Sequence, residues 1–202
     1  DIISVNWSPD GSKIVYIDRN DLISVINSGS FELEKQFQAS DEVNDIVWNS
    51  DMTVLLASLG NGKIRAYKYP DFDISHSMVG HTDACIQLRY NRNFTKFYVG
   101  SVDSFISVWD SKSMHCIKCL NSYEYSIRNF DTSFDEFFLA AATENPGLTV
   151  VNIENDEKVH HYNTKNYVTA LSWHPKKAIL AFSVHRANEP SEPVIRLYGS
   201  FQ

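Results

Sequence analysis

Short runs of alternating apolar and polar residues, separated by polar turns, extend along almost the whole chain. Val, Ile, Tyr and Phe fill these runs, and Asp, Asn, Gly and Ser separate them. Such residues with a period of two are typical of β-strands that are buried on one side. No segment keeps an apolar period of 3.6 over the roughly ten residues that an amphipathic helix requires. The pattern therefore predicts an all-β protein made of many short strands.

The runs repeat at a regular interval. An aromatic residue closes one alternating run in each repeat, and these residues are Trp7, Trp48, Tyr90, Phe130 and Trp173. A later run closes at Ile26, Tyr67, Trp109, Val151 and Tyr198. A short polar residue precedes that second position by six residues, as Asn20, Asn61, Asp103 and Asn145. Three positions in register over four or five units indicate an internal repeat of supersecondary structure.

A repeat of roughly 40–45 residues built from short strands is typical of the blades of WD-repeat β-propellers. Gly80-His81, Asp103 and Trp109-Asp110 give one unit the whole WD pattern. We predict a single partial propeller of about five repeats, with approximate bounds 1–40, 41–82, 83–124, 125–166 and 167–202. Each WD unit should supply three strands of one blade and the outer strand of the blade before it.

Five blades would leave the ring open, with unpaired sheet edges that favour aggregation. We therefore expect the chain to be part of a seven-bladed protein, with about two blades encoded before Asp1. A polar insertion at residues 186–193 lengthens the last repeat.

Composition narrows the class of protein. The chain has 202 residues, a formal net charge of −7 and scattered basic residues, which argues against a general nucleic-acid binder. Its three cysteines suit a reducing compartment better than a disulfide framework. No apolar run approaches the roughly 20 residues that span a bilayer. The composition predicts a soluble, intracellular, globular protein.

His81, Asp103 and Trp109 could form either a catalytic relay or a buried structural network. The propeller interpretation favours the network, in which a hydroxyl joins the indole, the imidazole and the carboxylate. Val99 occupies the position where that hydroxyl would be expected, so we assign it to Ser101, the nearest substitute. Leaving one member unpaired would cost about 1–3 kcal/mol, so His81→Ala should lower stability.

Two other groups could suggest metal or redox chemistry. Cys116 and Cys119 form a Cys-x-x-Cys pair, but no second pair exists and Cys85 lies in another strand. His160 and His161 are adjacent, so on a strand they face opposite sides. We predict no metal, no cofactor and no catalytic residue, and a structural role for the cysteine pair. The predicted inner strands contain Val, Ile, Leu, Ala and Ser without a repeated His or carboxylate, which argues against a propeller hydrolase.

Tyrosines with acidic neighbours occur in the loops that connect successive blades. Aligned on the Gly-His position, these loops place Asp41, Glu42, Tyr123, Tyr125 and Tyr167 around one face of the propeller. Tyrosine is enriched at protein interfaces. We predict a protein-binding rim there, with ordinary loop residues as the alternative.

Four motifs point to a particular family: Asn-Trp-Ser-Pro-Asp-Gly at 6–11, Gly-Asn-Gly at 60–62, Cys-Ile-Lys-Cys at 116–119 and Trp-His-Pro-Lys at 173–176. They resemble the THO complex subunit 3 family of WD-repeat proteins. With further short matches, the resemblance covers nearly the whole chain. The insertion at 186–193 and the fourth repeat depart from the family pattern.

The resemblance implies a non-enzymatic scaffold in the nucleus, within the THO/TREX machinery that couples transcription elongation to mRNP assembly and mRNA export. It implies the large helical THO subunits as partners and a DEAD-box RNA helicase as a direct or indirect one. Contact with mRNA would be indirect, and no membrane or small-molecule substrate is expected. The alternative is an adaptor of another complex, such as a ubiquitin-ligase substrate receptor or a chromatin subunit.

Overall fold

The computed structural model of the chain describes residues 1–184 and 195–199. The insertion at 186–193 lies outside the described residues. Every regular element within the described residues is a β-strand, and none is a helix that could cross a membrane. The strands are β1 (Ile2–Trp7), β2 (Lys13–Asp18), β3 (Leu22–Asn27), β4 (Leu33–Gln38), β5 (Val43–Trp48), β6 (Val54–Leu59), β7 (Lys63–Lys68), β8 (Asp73–Val79), β9 (Cys85–Tyr90), β10 (Lys96–Ser101), β11 (Ile106–Asp110), β12 (Cys116–Leu120), β13 (Ile127–Thr132), β14 (Phe138–Thr143), β15 (Leu148–Asn152), β16 (Lys158–Tyr162), β17 (Val168–Trp173), β18 (Ile179–Val184) and β19 (Ile195–Gly199).

The strands form five antiparallel sheets from consecutive strands. Four sheets have four strands each, β1–β4, β5–β8, β9–β12 and β13–β16, and the described strands of the fifth are β17–β19. Each sheet lies within one of the five predicted repeats. The predicted all-β fold is thus confirmed.

The first strands of successive sheets lie side by side around a common space. β1 contacts β5, β5 contacts β9, β9 contacts β13, and β13 contacts β17. Residues of these strands, including Ile3, Asn44 and Ile86, line the cavity between them. The sheets are therefore blades of a β-propeller, and their first strands surround its channel.

The core lies between neighbouring blades, so the inner strands of a blade that has neighbours on both sides are buried on both faces. Ile64 and Ala66 pack towards the third blade, whereas Tyr67 belongs to the cluster shared with the first blade. Arg65 and Ser107 are also buried, with 8% and 0% exposure. Successive side chains along these strands therefore point to two buried surfaces, one against each neighbouring blade, rather than to the core and to solvent in turn.

The outer faces of the two end blades carry exposed apolar side chains. Val5 and Trp7 of β1 are 59% and 60% exposed, and Ile195 and Leu197 of β19 are 66% and 58% exposed. Trp48, which repeats the position of Trp7 in the next blade, is only 2% exposed. The difference arises because the first blade packs on Trp48, whereas no described residue covers the face that carries Trp7.

A tight turn at Gly62 fixes the loop that carries His81. Gly62 has a φ of 78°, and a Cβ there would lie 2.4 Å from the carbonyl oxygen of His81. The carbonyl oxygen of Gly62 accepts hydrogen bonds from the backbone N–H groups of Gly80 and His81, at 3.2 and 3.1 Å. Any side chain at position 62 would collide with the backbone of this loop and displace it.

Candidate interaction surface

Four loops that join successive blades lie at one end of the strands, together with the turns at Asn20, Asn61, Asp103 and Asn145. We call this end the loop face and define it by residues 39–42, 80–84, 121–126 and 163–167 and these four turns. The structure exposes three predicted rim residues there. Tyr125 and Tyr167 are 48% and 47% exposed, and Glu42 is exposed as well.

The third blade contains a continuous chain of hydrogen bonds below the loop face. The indole N–H of Trp109 donates to Ser107 Oγ at 2.7 Å, and Ser107 Oγ lies 2.7 Å from His81 Nε2. His81 Nδ1 lies 3.0 Å from Asp103 Oδ2. These partners assign the proton to Nδ1, so that Nδ1–H donates to Asp103 and Nε2 accepts from the Ser107 hydroxyl.

The prediction that Ser101 supplies the hydroxyl is wrong, because Ser107 occupies that place. Ser101 Oγ instead donates to the carbonyl oxygen of Asp83 at 3.1 Å and accepts from the backbone N–H of Asp103 at 3.2 Å. Ser107 and Trp109 are two residues apart on β11 and therefore share one face of the blade. That common face places the hydroxyl between the indole and the imidazole.

Opposing effects act on the Asp103 carboxylate. Burial raises its pKa, but the backbone N–H groups of Thr82 and Phe105 donate to the carboxylate, and His81 interacts favourably with the charged form. The net effect lowers the pKa of Asp103 below its ordinary value of 3.8. Asp103 thus joins the loop before β9 to the turn between β10 and β11.

The order Ser107–His81–Asp103 matches the order of a hydrolytic triad, but its surroundings prevent that chemistry. Ser107 is completely buried and accepts a hydrogen bond from Trp109, so no substrate carbonyl can reach its hydroxyl. His81 is only 7% exposed. The arrangement can hold strands and a loop together, but it cannot present a nucleophile.

The second blade contains a different network in the corresponding region, and this network includes Asp41. Arg65 Nη1 donates to Asp41 Oδ2 at 2.5 Å, and Asn61 Nδ2 donates to Asp41 Oδ1 at 3.0 Å. The Arg65 guanidinium is the first cause that holds the pKa of Asp41 below its ordinary value. Arg65 repeats the position of Ser107, and Asn61 repeats that of Asp103. Asp41 is therefore half-buried in an internal ion pair, unlike the free rim residue that the sequence predicted.

Tyr123 also differs from the prediction, because it is only 7% exposed. It lies 42 positions after His81, and its ring packs in the core between the third and fourth blades with Tyr98, Leu120 and Ile127. Burial, followed by the nearby charge of Asp156, raises the pKa of its phenol well above the ordinary value. Tyr123 therefore belongs to the core and not to the rim.

Sequence reasoning missed a set of polar residues that join the first strands of neighbouring blades. Asp45 Oδ1 accepts from Ser4 Oγ at 2.6 Å and from Asn6 Nδ2 at 3.3 Å, both on the first blade. Its Oδ2 accepts from the backbone N–H of Leu88 at 3.0 Å and from Arg89 Nη1 at 2.8 Å, both on the third blade. One carboxylate thus connects three blades.

Similar contacts between first strands recur around the channel. Gln87 Oε1 accepts from the backbone N–H of Phe130 at 2.7 Å, and Asp131 Oδ2 accepts from that of Trp173 at 2.7 Å. Asp45 and Asp131 occupy different positions in their strands, the third residue of β5 and the fifth of β13, so they do not form a repeated carboxylate. The signal for the first two contacts was a polar residue at the third position of β5 and β9, as Asp45 and Gln87. Burial raises the pKa of Asp131, which shows the cost of placing a carboxylate there.

A cavity of about 800 Å³ opens between the loop face and the channel. Its wall includes Ser126, Arg128, Glu144, Tyr167 and Thr169. The guanidinium of Arg128 lies 5.5 Å from the ring centre of Tyr167, and its Nη2 lies 3.5 Å from Glu144 Oε1. An exposed aromatic ring beside an arginine is typical of residues that dominate binding energy at protein interfaces. In the described part of the chain, no group of three His, Cys, Asp or Glu side chains could hold a metal ion.

Comparison with known families identifies one repeat directly. The family described as "WD domain, G-beta repeat" matches residues 72–110. The matched segment contains β8 of the second blade followed by β9, β10 and β11 of the third. It therefore contains the strands expected of a WD unit, which are the outer strand of one blade and three strands of the next.

Three known proteins are similar over most of the chain. THO complex subunit 3 of Arabidopsis thaliana is 24% identical over 98% of the chain and 64% of its own length. WD repeat-containing protein AAC3 of Dictyostelium discoideum is 28% identical over 98% of the chain and 42% of its own length. COMPASS component SWD3 of Saccharomyces cerevisiae is 20% identical over 79% of the chain and 50% of its own length.

The chain thus spans less than two thirds of the length of each of these relatives. The match with THO complex subunit 3 covers almost every residue described here and confirms the resemblance that the sequence motifs indicated. Together, the repeat match and the blade architecture lead to one conclusion: the chain is a WD-repeat β-propeller protein that resembles THO complex subunit 3.

Proposed function

We propose that the protein is a non-enzymatic scaffold subunit of a nuclear THO/TREX complex, which couples transcription elongation to mRNP assembly and mRNA export. The observation that carries this proposal is the similarity to THO complex subunit 3 over 98% of the chain. The large helical THO subunits would be its direct partners. A DEAD-box RNA helicase and mRNA would be brought close through the assembly.

The hydrogen bonds made by the buried polar side chains support a scaffold rather than an enzyme. Ser107 is enclosed by Trp109 and His81 and has no exposed surface. Asp45 and Asp131, the carboxylates on inner strands, are occupied by backbone N–H groups of the next blade. These three side chains therefore hold strands, a loop and neighbouring blades together.

The loop face supports a protein partner. Tyr167 and the Arg128 guanidinium are exposed beside the cavity of about 800 Å³, and Tyr125 is exposed on the same loop face. Large rings give contact area at a low cost in side-chain entropy, and an arginine can pair with a carboxylate or stack on a ring. A helix that presents apolar and acidic side chains would complement this surface.

A second candidate function is a scaffold of a different nuclear assembly. The similarity to COMPASS component SWD3 favours this alternative, but it covers 79% of the chain at 20% identity. The similarity to THO complex subunit 3 extends over more of the chain at higher identity. We therefore place the THO-type assembly first.

Affinity purification of the tagged protein from nuclear extract, followed by mass spectrometry, distinguishes the candidates. We expect stoichiometric recovery of the large helical THO subunits, resistant to nuclease treatment because the contacts join protein to protein. Recovery of chromatin or ubiquitin-ligase subunits without THO subunits would overturn the proposal. Loss of all partners after nuclease treatment would show that the association depends on nucleic acid.

A further inference from the structure

The thiols of Cys116 and Cys119 lie together on the outer strand of the third blade. Their Sγ atoms are 3.9 Å apart, and both residues are exposed. Residues three apart on a regular strand face opposite sides of the sheet. The proximity of these two thiols therefore needs a local structural cause.

That cause is a β-bulge. Trp109 pairs with Cys116 and Val108 pairs with Lys118, so Ile117 is an extra residue in β12. Cys119 pairs with Ser107, which lies on the same face of β11 as Trp109. The bulge therefore turns both cysteines to one face of the sheet.

We propose that Cys116 and Cys119 are a reversible oxidation site that reacts with low-molecular-weight disulfides of the glutathione type. The thiolate of Cys116 attacks one sulfur of the small disulfide, which releases one small thiol and leaves a mixed disulfide on Cys116. The thiolate of Cys119 then attacks the Cys116 sulfur, which forms the intramolecular disulfide and releases the second small thiol. Two electrons pass from the protein thiols to the small disulfide, and the two protons end on the released thiols.

The surroundings assign different roles to the two cysteines. Burial, followed by interaction with Cys116, raises the pKa of Cys119 to about 11, so little of it is thiolate at neutral pH. Cys116 is therefore the attacking residue, and Cys119 reacts second, when the mixed disulfide is already beside it. An exposed disulfide of this kind is labile in a reducing compartment, which suits a transient modification.

The third cysteine is an internal control. Cys85 is completely buried, and burial raises the pKa of its thiol to about 12. It should remain unmodified under conditions that oxidise the pair.

Incubation of the native protein with oxidised glutathione, followed by alkylation and peptide mass mapping, tests the proposal. We expect the mass of the peptide that contains Cys116 and Cys119 to fall by two hydrogen atoms and both thiols to resist alkylation. Treatment with dithiothreitol should restore both free thiols. The Cys119→Ser variant should accumulate a stable glutathione adduct on Cys116. The Cys116→Ser variant should form an adduct on Cys119 at least about tenfold more slowly at about pH 7.5.

Alkylation of both cysteines in the oxidised wild-type protein would overturn the proposal. So would a glutathione adduct that persists on wild-type Cys116, because it would show that Cys119 does not react with it. Both cysteines are exposed, so the serine variants should fold, and circular dichroism verifies this. The wild-type measurement decides the proposal even if a variant fails to fold.

Discussion

The hydroxyl of Ser107 joins β11 to the loop that carries His81, and the His81 side chain shares this hydrogen bond. If this network is structural, His81→Ala leaves Ser107 and Asp103 without their partner. We expect the free energy of unfolding to fall by about 1–3 kcal/mol, because a buried polar group loses its hydrogen bond. Urea denaturation measures the change.

The exposed His115 offers a matched control. His115→Ala should change the free energy of unfolding by less than about 0.5 kcal/mol. Equal losses in the two variants would contradict a special role for His81.

Asp103 makes a pH-dependent contribution to stability. Its pKa is lower in the folded protein than the ordinary value of 3.8, so the folded state binds fewer protons than the unfolded state in acid. The contribution is complete above the ordinary value and is lost as the pH falls through the lower, folded-state value. Asp103→Asn should therefore be less stable than wild type at about pH 6, and this difference should shrink towards about pH 3.

Urea denaturation over this pH range measures the difference, with the exposed Asp71→Asn as a control for general charge effects. A difference between wild type and Asp103→Asn that stays constant over the whole range would contradict the account.

At the scale of the element, the second blade joins its loop to its third strand with an ion pair, whereas the third blade uses a hydrogen bond between a histidine and a serine. The loop of the third blade supplies a histidine, whereas that of the second supplies Asp41, and Arg65 on β7 replaces Ser107. Asp41→Ala would leave a buried guanidinium unpaired, so we expect a loss of about 2–3 kcal/mol. Adding Arg65→Met should restore part of that stability, because it replaces the unpaired charge with an apolar side chain.

A double-mutant cycle of thermodynamic stabilities measures this coupling. Additive losses in the double variant would show that Asp41 and Arg65 are energetically independent, contrary to the 2.5 Å contact between them.

The strands could be predicted from the sequence, because the same type of residue marks the same place in successive blades. Trp48 and Trp173 close strands in register, and the repeat of short strands gives the blades. The candidate site was harder, because Ser107 meets His81 through the face of β11 that it shares with Trp109, whereas Ser101 bonds to other groups. Tyr123 resembles a rim tyrosine in sequence, but at the position of His81 its ring enters the core. The pairing of Asp41 with Arg65 depends on two segments 24 positions apart, which no local pattern reveals.

At the scale of the whole molecule, the exposed faces of the two end blades indicate surfaces that further blades would cover. Val5 and Trp7 on one side and Ile195 and Leu197 on the other resemble core residues in type but are more than half exposed. The relatives are also longer than this chain. We therefore keep the proposal that the chain is part of a larger ring, with seven blades as the expected number.

The substitution Trp7→Lys tests this proposal. In the 202-residue chain it should change stability by less than about 1 kcal/mol, because Trp7 is already 60% exposed. In a longer protein that completes the ring, the same substitution should cost about 3 kcal/mol or more, since the indole would be buried. Equal effects in the two proteins would contradict ring closure over this face.

The most direct test of the central claim, that the loop face binds a protein partner, compares partner recovery by two tagged variants with that of wild type. Tyr125→Ala/Tyr167→Ala removes the exposed rings of the loop face, and Phe137→Ala removes a 58% exposed ring at the opposite end of the strands. We predict that the double variant recovers the large THO subunits at least about tenfold less efficiently, while Phe137→Ala equals wild type. Undiminished recovery by a folded double variant would contradict the claim.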